Sequence, residues 1–460
     1  MSNALPKVSH LLGSKGRVFD VRYQYDAAAD RELVLSSCED GTASLWDLKT
    51  RRALQTLRHS KTDEVLRGSF LGDCGSSVCT AGADGNAVIW KLQLEQLAPP
   101  ERVVVLEHRQ AQIYAVEPIG PGMLATASED KLIFWDLGSG GKLSPRVWRF
   151  CSNSNKHPEA LFFSGKPTDK ASTPAATIAS VVATGSANGN ERSRPLHLGI
   201  PPVTDIYSDD EDELYEDANA SAYGGPRNPH HKNFIFDVKP LGVAGVEYCP
   251  LVALALSDGT ASMLDLRTGS AAGNSSPTPT SVMSVKIEAG MKGLLPASGG
   301  AGLSYGHARA TGLCWGRSSS SSSSSSPQQA FPAVDLAVAL GHGGVAVLDI
   351  RKGLQPRSYL AAHAAACFGV ALLPDRDERA RAGMGGLGMV SWSSDSTLNF
   401  WPNMSELPTG SISTIPTRRH VLDNLPVLGA CVTREGSVVC AGGSGETQLL
   451  GNCIPIVSLV

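Results

Sequence analysis

The sequence predicts an all-β fold, a seven-bladed β-propeller, and a repeated phrase is the main observation behind this prediction. In this phrase, small residues are followed by an aspartate turn, usually Asp-Gly, and then by alternating apolar residues and Trp. The first three turn aspartates are Asp40, Asp84 and Asp130, with spacings of 44 and 46 residues. A period of about 40–45 residues with such a phrase is typical of propeller blades.

Blades 1 to 3 have the clearest strands, because period-2 alternation flanks each of their phrases. The strands predicted for blade 1 are Val18–Val21, Leu33–Ser36 and Thr42–Trp46. Those predicted for blade 2 are Val65–Phe70, Ser77–Ala81 and Ala87–Trp90. Those predicted for blade 3 are Ile113–Val116, Met123–Ala127 and Leu132–Trp135.

The period then breaks, because 128 residues separate Asp130 from the next turn aspartate, Asp258. Residues 151–230 fill most of this gap and are rich in Ser, Asn, Ala, Pro and acidic residues, with few aromatics. Such a segment cannot bury enough apolar surface to offset the entropy that it would lose on ordering. We therefore predict a disordered insertion at 151–230, between blades 3 and 4; a degenerate blade around Thr177–Thr184 is the alternative.

The later blades have weaker phrases. Those of blades 4 to 7 span Leu254–Asp265, Leu336–Asp349, Val390–Trp401 and Val438–Leu450. In blade 5, His342 stands where the other blades have aspartate, and runs that include the serine tract 318–326 lengthen the spacing. We predict one propeller domain, in which residues 5–150 form blades 1 to 3 and residues 231–460 form blades 4 to 7.

Composition limits the partners and compartments. The formal net charge is −4, which argues against direct binding to nucleic acid or to an anionic membrane surface. No stretch approaches 18 uninterrupted apolar residues and the N-terminus lacks an apolar signal core, so neither a membrane span nor secretion is expected. The ten cysteines are scattered, as is typical of reduced thiols. We expect a cytoplasmic or nuclear protein, or one found in both compartments.

The repeated phrases resemble those of the WD-repeat β-propeller family. In that family a histidine before the blade, a second-strand Ser or Thr, the turn aspartate and a third-strand Trp form a hydrogen-bonded tetrad. The resemblance implies complete tetrads in three blades: His59, Thr80, Asp84 and Trp90 in blade 2; His108, Thr126, Asp130 and Trp135 in blade 3; and His363, Ser391, Asp395 and Trp401 in blade 6. It implies a partial tetrad in blade 1, with Ser36, Asp40, Trp46 and a serine, Ser14, at the histidine position.

Blades 4 and 5 depart from this pattern. Blade 4 keeps Asp258 and has Leu264 in place of Trp, and blade 5 keeps His307 but has neither Asp nor Trp. Because a buried carboxylate needs donors such as a histidine N–H and a hydroxyl, tetrad residues are expected to be structural rather than catalytic. The resemblance also implies that Leu5–Leu12 forms the outer strand of the last blade, with the apolar segment Ile454–Val460 close by.

Motifs that could carry chemistry are weak. Gly383–Gly388 matches G-x-G-x-x-G, but it lacks a βαβ context and lies in a predicted hairpin loop. His230 and His231 lack further ligands at zinc spacing. We therefore expect no catalytic residues, no cofactor and no metal, although some propellers are enzymes.

Two features could direct interactions. Ser208 precedes a run of acidic residues and resembles a site of the casein kinase 2 type, where a phosphate would deepen a negative patch; a solvated spacer is the alternative. Three blade ends resemble the Trp-Asp-x-Arg box of propellers that dock onto cullin–RING ligase adaptors, although capping of a turn is the alternative. Their residues are Asp47 and Lys49, Asp265 and Arg267, and Asp349 and Arg351.

We interpret the chain as a non-enzymatic scaffold for protein–protein interactions in a multiprotein complex. The alternatives are a substrate receptor of a cullin–RING ubiquitin ligase, and a chromatin or histone-tail binder whose acidic insertion contacts basic nuclear proteins. Partner contacts are expected on the top face of the ring, near the loops just before the tetrad histidines. Candidates near the starts of inner strands are Arg17, Arg67, Tyr114, Phe236, Trp315 and Phe368, and core packing is the alternative for the aromatic ones.

Overall fold

The computed structural model describes the sheets and many of the turns that connect their strands. The described residues are 7–12, 16–72, 75–94, 98–108, 111–120, 122–129, 131–137, 146–149, 234–241, 251–266, 280–287, 310–316, 335–373, 388–422, 425–443 and 453–458. This part of the chain contains 29 strands and two 3₁₀ helices, Ile350–Lys352 and Met404–Glu406. None of its helices has the length and apolar character that a membrane span requires.

The N-terminal strand, β1, is Lys7–Leu12, and the next twelve strands form three sheets of four. Blade 1 consists of β2 (Val18–Asp26), β3 (Arg31–Cys38), β4 (Thr42–Asp47) and β5 (Arg52–Arg58). Blade 2 consists of β6 (Val65–Phe70), β7 (Ser77–Gly82), β8 (Asn86–Lys91) and β9 (Glu101–Glu107). Blade 3 consists of β10 (Ala115–Gly120), β11 (Met123–Ser128), β12 (Lys131–Asp136) and β13 (Arg146–Arg149).

Four more sheets follow. Blade 4 consists of β14 (Ile235–Pro240), β15 (Leu251–Leu256), β16 (Thr260–Asp265) and β17 (Thr280–Lys286). Blade 5 contains β18 (Ala310–Gly316), β19 (Asp335–Leu340), β20 (Val345–Asp349) and β21 (Gln355–Leu360). Blade 6 contains β22 (Cys367–Leu372), β23 (Met389–Ser393), β24 (Thr397–Trp401) and β26 (Arg418–Val421). Blade 7 contains β27 (Val427–Val432), β28 (Val438–Gly442), β29 (Cys453–Ser458) and β1.

The blades form a closed ring, because their first strands contact one another in sequence and β27 of blade 7 contacts β2 of blade 1. The described core consists of seven apolar clusters, each shared by two neighbouring blades. For example, Leu35 of blade 1 packs with Val65 and Trp90 of blade 2, and Val18 of blade 1 packs with Val439 of blade 7. The predicted all-β, seven-bladed propeller is therefore confirmed.

Blade 3 begins two residues later than the sequence predicts. The backbone N–H of Ile113 donates to the carbonyl of Gly82 in blade 2 at 3.3 Å, so it is not available to the sheet of blade 3. The next residue, Tyr114, donates its backbone N–H to the carbonyl of Ala127 on β11 at 2.9 Å, and the first strand begins at Ala115. The loop before the strand is bonded to the neighbouring blade, and the alternation of apolar residues does not reveal this.

The predicted insertion enters the chain between blades 3 and 4, since β13 and β14 are the last strand of one blade and the first of the next. Residues 151–230 themselves lie outside the described residues, as do residues 177–184.

The aspartate turns lie on one face of the ring, which we call the top face. Because the sheets are antiparallel, the turns between second and third strands, such as 39–41 and 83–85, lie on the side where each first strand begins. Glycine follows the aspartate there because Gly41 has a φ of 77°. A Cβ on Gly41 would also lie 2.6 Å from the carbonyl oxygen of Ser60.

The N-terminal strand closes the ring, as predicted. β1 pairs antiparallel with β29, with Lys7 opposite Ser458 and Leu12 opposite Cys453. The C-terminal segment is the third strand of the same blade, between β28 and β1. Strands from both ends of the chain are thus joined in one sheet, and Leu11 is fully buried in the cluster between blades 7 and 1.

Blade 5 has a fifth strand that the sequence does not reveal. The connection between β24 and β26 of blade 6 crosses to blade 5, where β25 (Ser411–Ser413) pairs in parallel with β21. Arg357 on β21 donates to the carbonyl of Leu407 in this connection at 3.0 Å and forms an ion pair with Asp335 at 2.9 Å. Three strand residues are too few to produce a recognisable alternation, so pattern reading misses β25.

Candidate functional site

Blade 2 contains the complete tetrad that the resemblance implies. The indole Nε1 of Trp90 donates to Oγ1 of Thr80 at 2.8 Å, and the same oxygen lies 2.7 Å from Nδ1 of His59. Nε2 of His59 lies 3.1 Å from Oδ1 of Asp84. Partial burial alone would raise the pKa of Asp84, but hydrogen bonds from His59 and Asn86 lower it below its ordinary value. The tetrad therefore ties the sheet to the top-face loops.

Blade 6 repeats this arrangement. Trp401 Nε1 donates to Ser391 Oγ at 3.0 Å, Ser391 Oγ lies 2.9 Å from His363 Nε2, and His363 Nδ1 lies 3.3 Å from Asp395 Oδ1. Thr397 Oγ1 also donates to Asp395 Oδ1 at 2.6 Å. Burial opposes ionisation of Asp395, but the hydrogen bonds from His363 and Thr397 hold its pKa well below the ordinary value. The carboxylate is thus engaged within the blade.

Blade 3 has the same core with a different fourth partner. Thr126 Oγ1 accepts from Trp135 Nε1 at 2.7 Å and lies 2.6 Å from His108 Nε2. The other ring nitrogen of His108 lies 2.7 Å from Ser128 Oγ, a partner that the resemblance does not include. Asp130 lies outside the described residues.

The buried histidine of blade 3 should make stability depend on pH. Burial, with a smaller effect from the charge of Lys131, lowers the pKa of His108 to about 4. Below pH 6.5 the unfolded chain binds a proton at this position that the folded chain does not bind, so stability falls as the pH falls. We expect a loss of about 2 kcal/mol between pH 7 and pH 5 from this group alone, at about 1.4 kcal/mol per pH unit.

Urea unfolding of the intact chain and of His108→Gln at pH 7 and pH 5 measures this contribution. The variant should be less stable at pH 7 and should show a smaller decrease on acidification, because its residue 108 does not titrate. Equal decreases in both proteins would contradict the assignment to His108.

In blade 1 the described residues of the implied partial tetrad form two separate contacts. Trp46 Nε1 donates to Ser36 Oγ at 2.9 Å, and Asp40 Oδ1 accepts from the backbone N–H and the hydroxyl of Thr42 at 3.0 and 2.6 Å. Ser14, at the histidine position, lies outside the described residues. In blade 1, therefore, the turn aspartate is held by its own hairpin.

Blades 4 and 5 depart from the tetrad in the way their sequences predict. In blade 4, Asp258 Oδ1 accepts from the backbone N–H of Thr260 at 3.0 Å, and Leu264 is fully buried in the place of Trp. In blade 5, Nε2 of His342 lies 2.7 Å from the hydroxyl of Tyr359, and their rings stack. His307 lies outside the described residues.

Two of the three blade-end aspartates, Asp47 and Asp349, cap turns. Asp47 Oδ1 accepts from the backbone N–H of Thr50 at 2.8 Å, and Lys49 is exposed. Asp349 Oδ1 accepts from the backbone N–H of Arg351 at 3.0 Å, and the Arg351 side chain is 69% exposed. Asp265 is buried. The contacts of Asp47 and Asp349 account for these two aspartates as caps.

Several sequence candidates fall outside the described residues: Ser208, Arg267, His230 and His231, and residues 383–387 of the glycine motif. Gly388, the last residue of the glycine motif, directly precedes β23. In the described part of the chain, no group of three or more His, Cys, Asp or Glu side chains could hold a metal ion.

A chain of ion pairs runs through the centre of the ring. Arg22 on β2 pairs with Asp20 at 3.0 Å and with Glu117 on β10 at 3.4 Å, and Glu117 pairs with Lys239 on β14 at 3.0 Å. These side chains are at most 23% exposed. Burial alone would lower the pKa of Arg22, but the charges of Asp20, Glu117 and Asp237 raise it. The network links blades 1, 3 and 4 and places a charged lining on their side of the centre.

On the opposite side of the centre, glycines occupy the first strands of blades 5, 6 and 7. A β-bulge early in the first strand places Asp20, Arg67 and Asp237 at equivalent positions in blades 1, 2 and 4, and it places glycines there in blades 5, 6 and 7. A Cβ on Gly429, the glycine of blade 7, would lie 2.9 Å from the carbonyl oxygen of Phe19 in blade 1. Glycine thus lets neighbouring first strands approach closely.

A cavity of about 430 Å³ lies between these two sides. Its lining comes from the first strands of six blades and includes Asp20, Arg67, Asp237, Leu313, Phe368 and Gly429. Trp392 on β23 also lines it, is 8% exposed, and has no hydrogen-bond partner for its indole Nε1 in the described structure. The lining of the cavity includes charged side chains, apolar side chains and glycine backbone. Its volume is in the range that is typical of ligand pockets.

Three aromatic side chains lie together where the first strands of blades 3 and 4 begin, and we call Tyr114, Phe234 and Phe236 the aromatic rim. The Tyr114 ring centroid lies 6.0 Å from that of Phe234 and 5.8 Å from that of Phe236, and the two Phe rings lie 6.5 Å apart. All three residues are partly exposed. Nε of Arg67 donates to the backbone carbonyl of Tyr114 at 2.9 Å, which joins this arginine to the rim.

The top-face candidates thus separate into different environments. Arg67, Tyr114 and Phe236 come together, whereas Phe368 packs partly into the core between blades 6 and 7. Arg17 is engaged with Glu39 through its backbone N–H at 2.9 Å. Trp315 lies on β18. Sequence reasoning missed Phe234 and the central ion pairs, although charged residues two apart in apolar strands, such as Asp20 and Arg22, were an available signal.

No protein-family model matches this sequence, and no curated protein matches it. The sheets and their closure therefore establish the fold.

Proposed function

We propose that this chain is a WD-repeat-type propeller that acts as a non-enzymatic scaffold for protein–protein contacts in a multiprotein complex. The observation that carries the proposal is the aromatic rim on the top face of a closed ring, beside Arg67. Partly exposed aromatic and arginine side chains on a rigid frame are the residues that dominate the energetics of protein interfaces. The cytoplasm, the nucleus or both remain the proposed compartments.

The tetrads support both parts of this proposal. Their order of contacts, from Trp through the hydroxyl to His and Asp, is the one expected from the WD-repeat resemblance in blades 2 and 6. His59 is 4% exposed and His108 is 2% exposed. Because these rings are buried and engaged by blade side chains, we assign them a structural role in this proposal. Fixed loops also lower the entropy lost when a partner binds.

A cullin adaptor is a second candidate partner, and the exposed guanidinium of Arg351 favours it. Asp349, at the end of β20, lies 3.6 Å from Nε of Arg351. The histone-tail alternative depends on the acidic segment around Ser208, outside the described residues, and stays a prediction. Loss of adaptor binding in Arg351→Ala, with other partners retained, would distinguish the ligase receptor from a general scaffold.

Affinity capture from cell extract, with quantitative mass spectrometry, tests the scaffold proposal. We expect Tyr114→Ser/Phe236→Ser to lose its main partners at least about tenfold, because truncation of central aromatic contacts costs 1 kcal/mol or more each. The matched control is Val103→Ser/Val105→Ser on β9, where the two valines are 53% and 40% exposed at the outer edge of blade 2.

Thermal unfolding should first confirm that both double variants fold. Partners that bind the rim variant and the control variant equally would contradict a role of the rim in docking. Loss from both variants would mean that the outer edge of blade 2 contributes as well, against the proposed location.

A further inference from the structure

Arg67 differs from the other cations at the centre of the ring. Arg22 and Lys239 both form ion pairs with carboxylates. Arg67 donates to backbone carbonyls, those of Tyr114 at 2.9 Å and Leu66 at 3.5 Å, and has no carboxylate within 4.0 Å among the described residues. Among the described residues the hydrogen-bond partners of its guanidinium are therefore backbone carbonyls, and Arg67 lines the central cavity.

The acidic groups of the cavity are already engaged. Asp20 pairs with Arg22 at 3.0 Å, and its Oδ2 lies 3.4 Å from the backbone N–H of Gly68. Asp237 accepts from the backbone N–H groups of Val238 and Leu313, both at 2.9 Å. A cationic ligand group would have to compete with these donors, whereas an anionic group can approach Arg67 without displacing a carboxylate.

The geometry of the aromatic rim also disfavours a cation. A cage for an ammonium group needs a gap between ring faces, but these rings are in mutual contact, with centroids 5.8–6.5 Å apart. Partly exposed aromatic rings of this kind pack favourably with an apolar side chain. Because Arg67 is bonded to the backbone of Tyr114, an anion at Arg67 and an apolar group on the rim would be neighbours.

We propose that the aromatic rim and Arg67 bind an extended peptide segment of a partner in which Asp or Glu stands beside an aromatic or aliphatic residue. The carboxylate enters the mouth of the cavity and forms a bidentate contact with the Arg67 guanidinium, and the apolar neighbour packs on the rim. This inference rests on the proposed scaffold function and specifies the chemistry of the partner.

A phage-displayed random dodecapeptide library, selected on the intact chain, tests the inference. We expect enriched peptides to share an acidic residue next to an apolar one. A synthetic peptide with that motif, followed by fluorescence anisotropy, should bind at least about tenfold more weakly when its acid is replaced by the amide, and binding should weaken with added salt.

Three variants of Arg67 separate charge from fold. Arg67→Gln keeps N–H donors for the carbonyl of Tyr114 but removes the charge, and should lose about tenfold in affinity. Arg67→Lys keeps the charge and should lose less than Arg67→Gln. Selection on Arg67→Glu, if it folds, should enrich basic residues at the position of the acid.

Enrichment of neutral or basic peptides on the intact chain, no enrichment, or equal binding by Arg67→Gln would overturn the inference. The proposed function would survive that result if Tyr114→Ser/Phe236→Ser still lost its partners from cell extract. If those partners were retained as well, the scaffold proposal would lose its docking surface too.

Discussion

A chain without residues 1–12 is expected to lose its cooperative fold. This deletion removes β1, leaves the backbone of β29 unpaired on one side and takes the fully buried Leu11 out of the cluster between blades 7 and 1. Loss of a buried leucine alone costs about 2–5 kcal/mol, and six residues of strand pairing are lost with it. The free energy of unfolding of a domain is typically about 5–15 kcal/mol, so this loss is comparable with the total stability.

Urea unfolding followed by circular dichroism measures this effect, and a chain that lacks residues 1–6 is the control because it retains β1. The control should unfold at the midpoint of the intact chain. An unchanged midpoint for the longer deletion would show that ring closure does not depend on β1.

An engineered disulfide between β1 and β29 tests the same ring closure by stabilising it. In the backbone register Leu12 is opposite Cys453, and opposite residues of an antiparallel pair have Cα atoms about 4.5–5.5 Å apart, within the range that a disulfide spans, so Leu12→Cys should form a disulfide with residue 453 under oxidising conditions. We expect a stabilisation of about 2–4 kcal/mol, because the bond closes almost the whole chain into a loop. Non-reducing electrophoresis and peptide mass spectrometry identify the bond, and Cys453→Ser in the same background should abolish it.

The sequence predicted the ring because its signal is periodic. Glycine after the turn aspartate allows a left-handed backbone, as at Gly41 and Gly85. In blades 1, 2, 3 and 6 the third-strand Trp donates to a second-strand hydroxyl, so these blades repeat the same local contacts. The N-terminal closure followed from the resemblance to WD-repeat propellers. The features that pattern reading missed are not periodic: β25 has three residues, and Ile113, just before β10, is bonded to blade 2.

The candidate site was predicted only in part, for a related reason. Arg67, Tyr114 and Phe236 were chosen from their place near strand starts, but that place does not determine which of them meet. Arg22 and Glu117 are 95 residues apart in the chain, and their contact depends on the curvature of the whole ring. Long-range pairs of this kind leave no local pattern in a single sequence.

The central ion network gives the second large effect. Glu117 is the one carboxylate that pairs with both Arg22 and Lys239 in the described structure. Glu117→Gln would remove one of the two ion pairs of Arg22 and the ion pair of Lys239, at side-chain exposures of 23% and 19%. Removing one partner of a buried pair costs about 3–5 kcal/mol, and the partial exposure of these side chains places the expected loss at the lower end, about 3 kcal/mol.

A double variant shows whether the lost stability comes from an unpaired cation or from poorer packing. Glu117→Gln/Lys239→Met removes the cation that Glu117→Gln leaves unpaired, so it should regain part of the stability, because apolar replacement of a buried pair is often neutral. Glu101→Gln on the exposed outer strand of blade 2 is the matched control and should change the free energy of unfolding by less than about 0.5 kcal/mol. If the double variant were no more stable than Glu117→Gln, the cost would come from packing around residue 117. In that case the charges at the centre of the ring would not hold blades 1, 3 and 4 together.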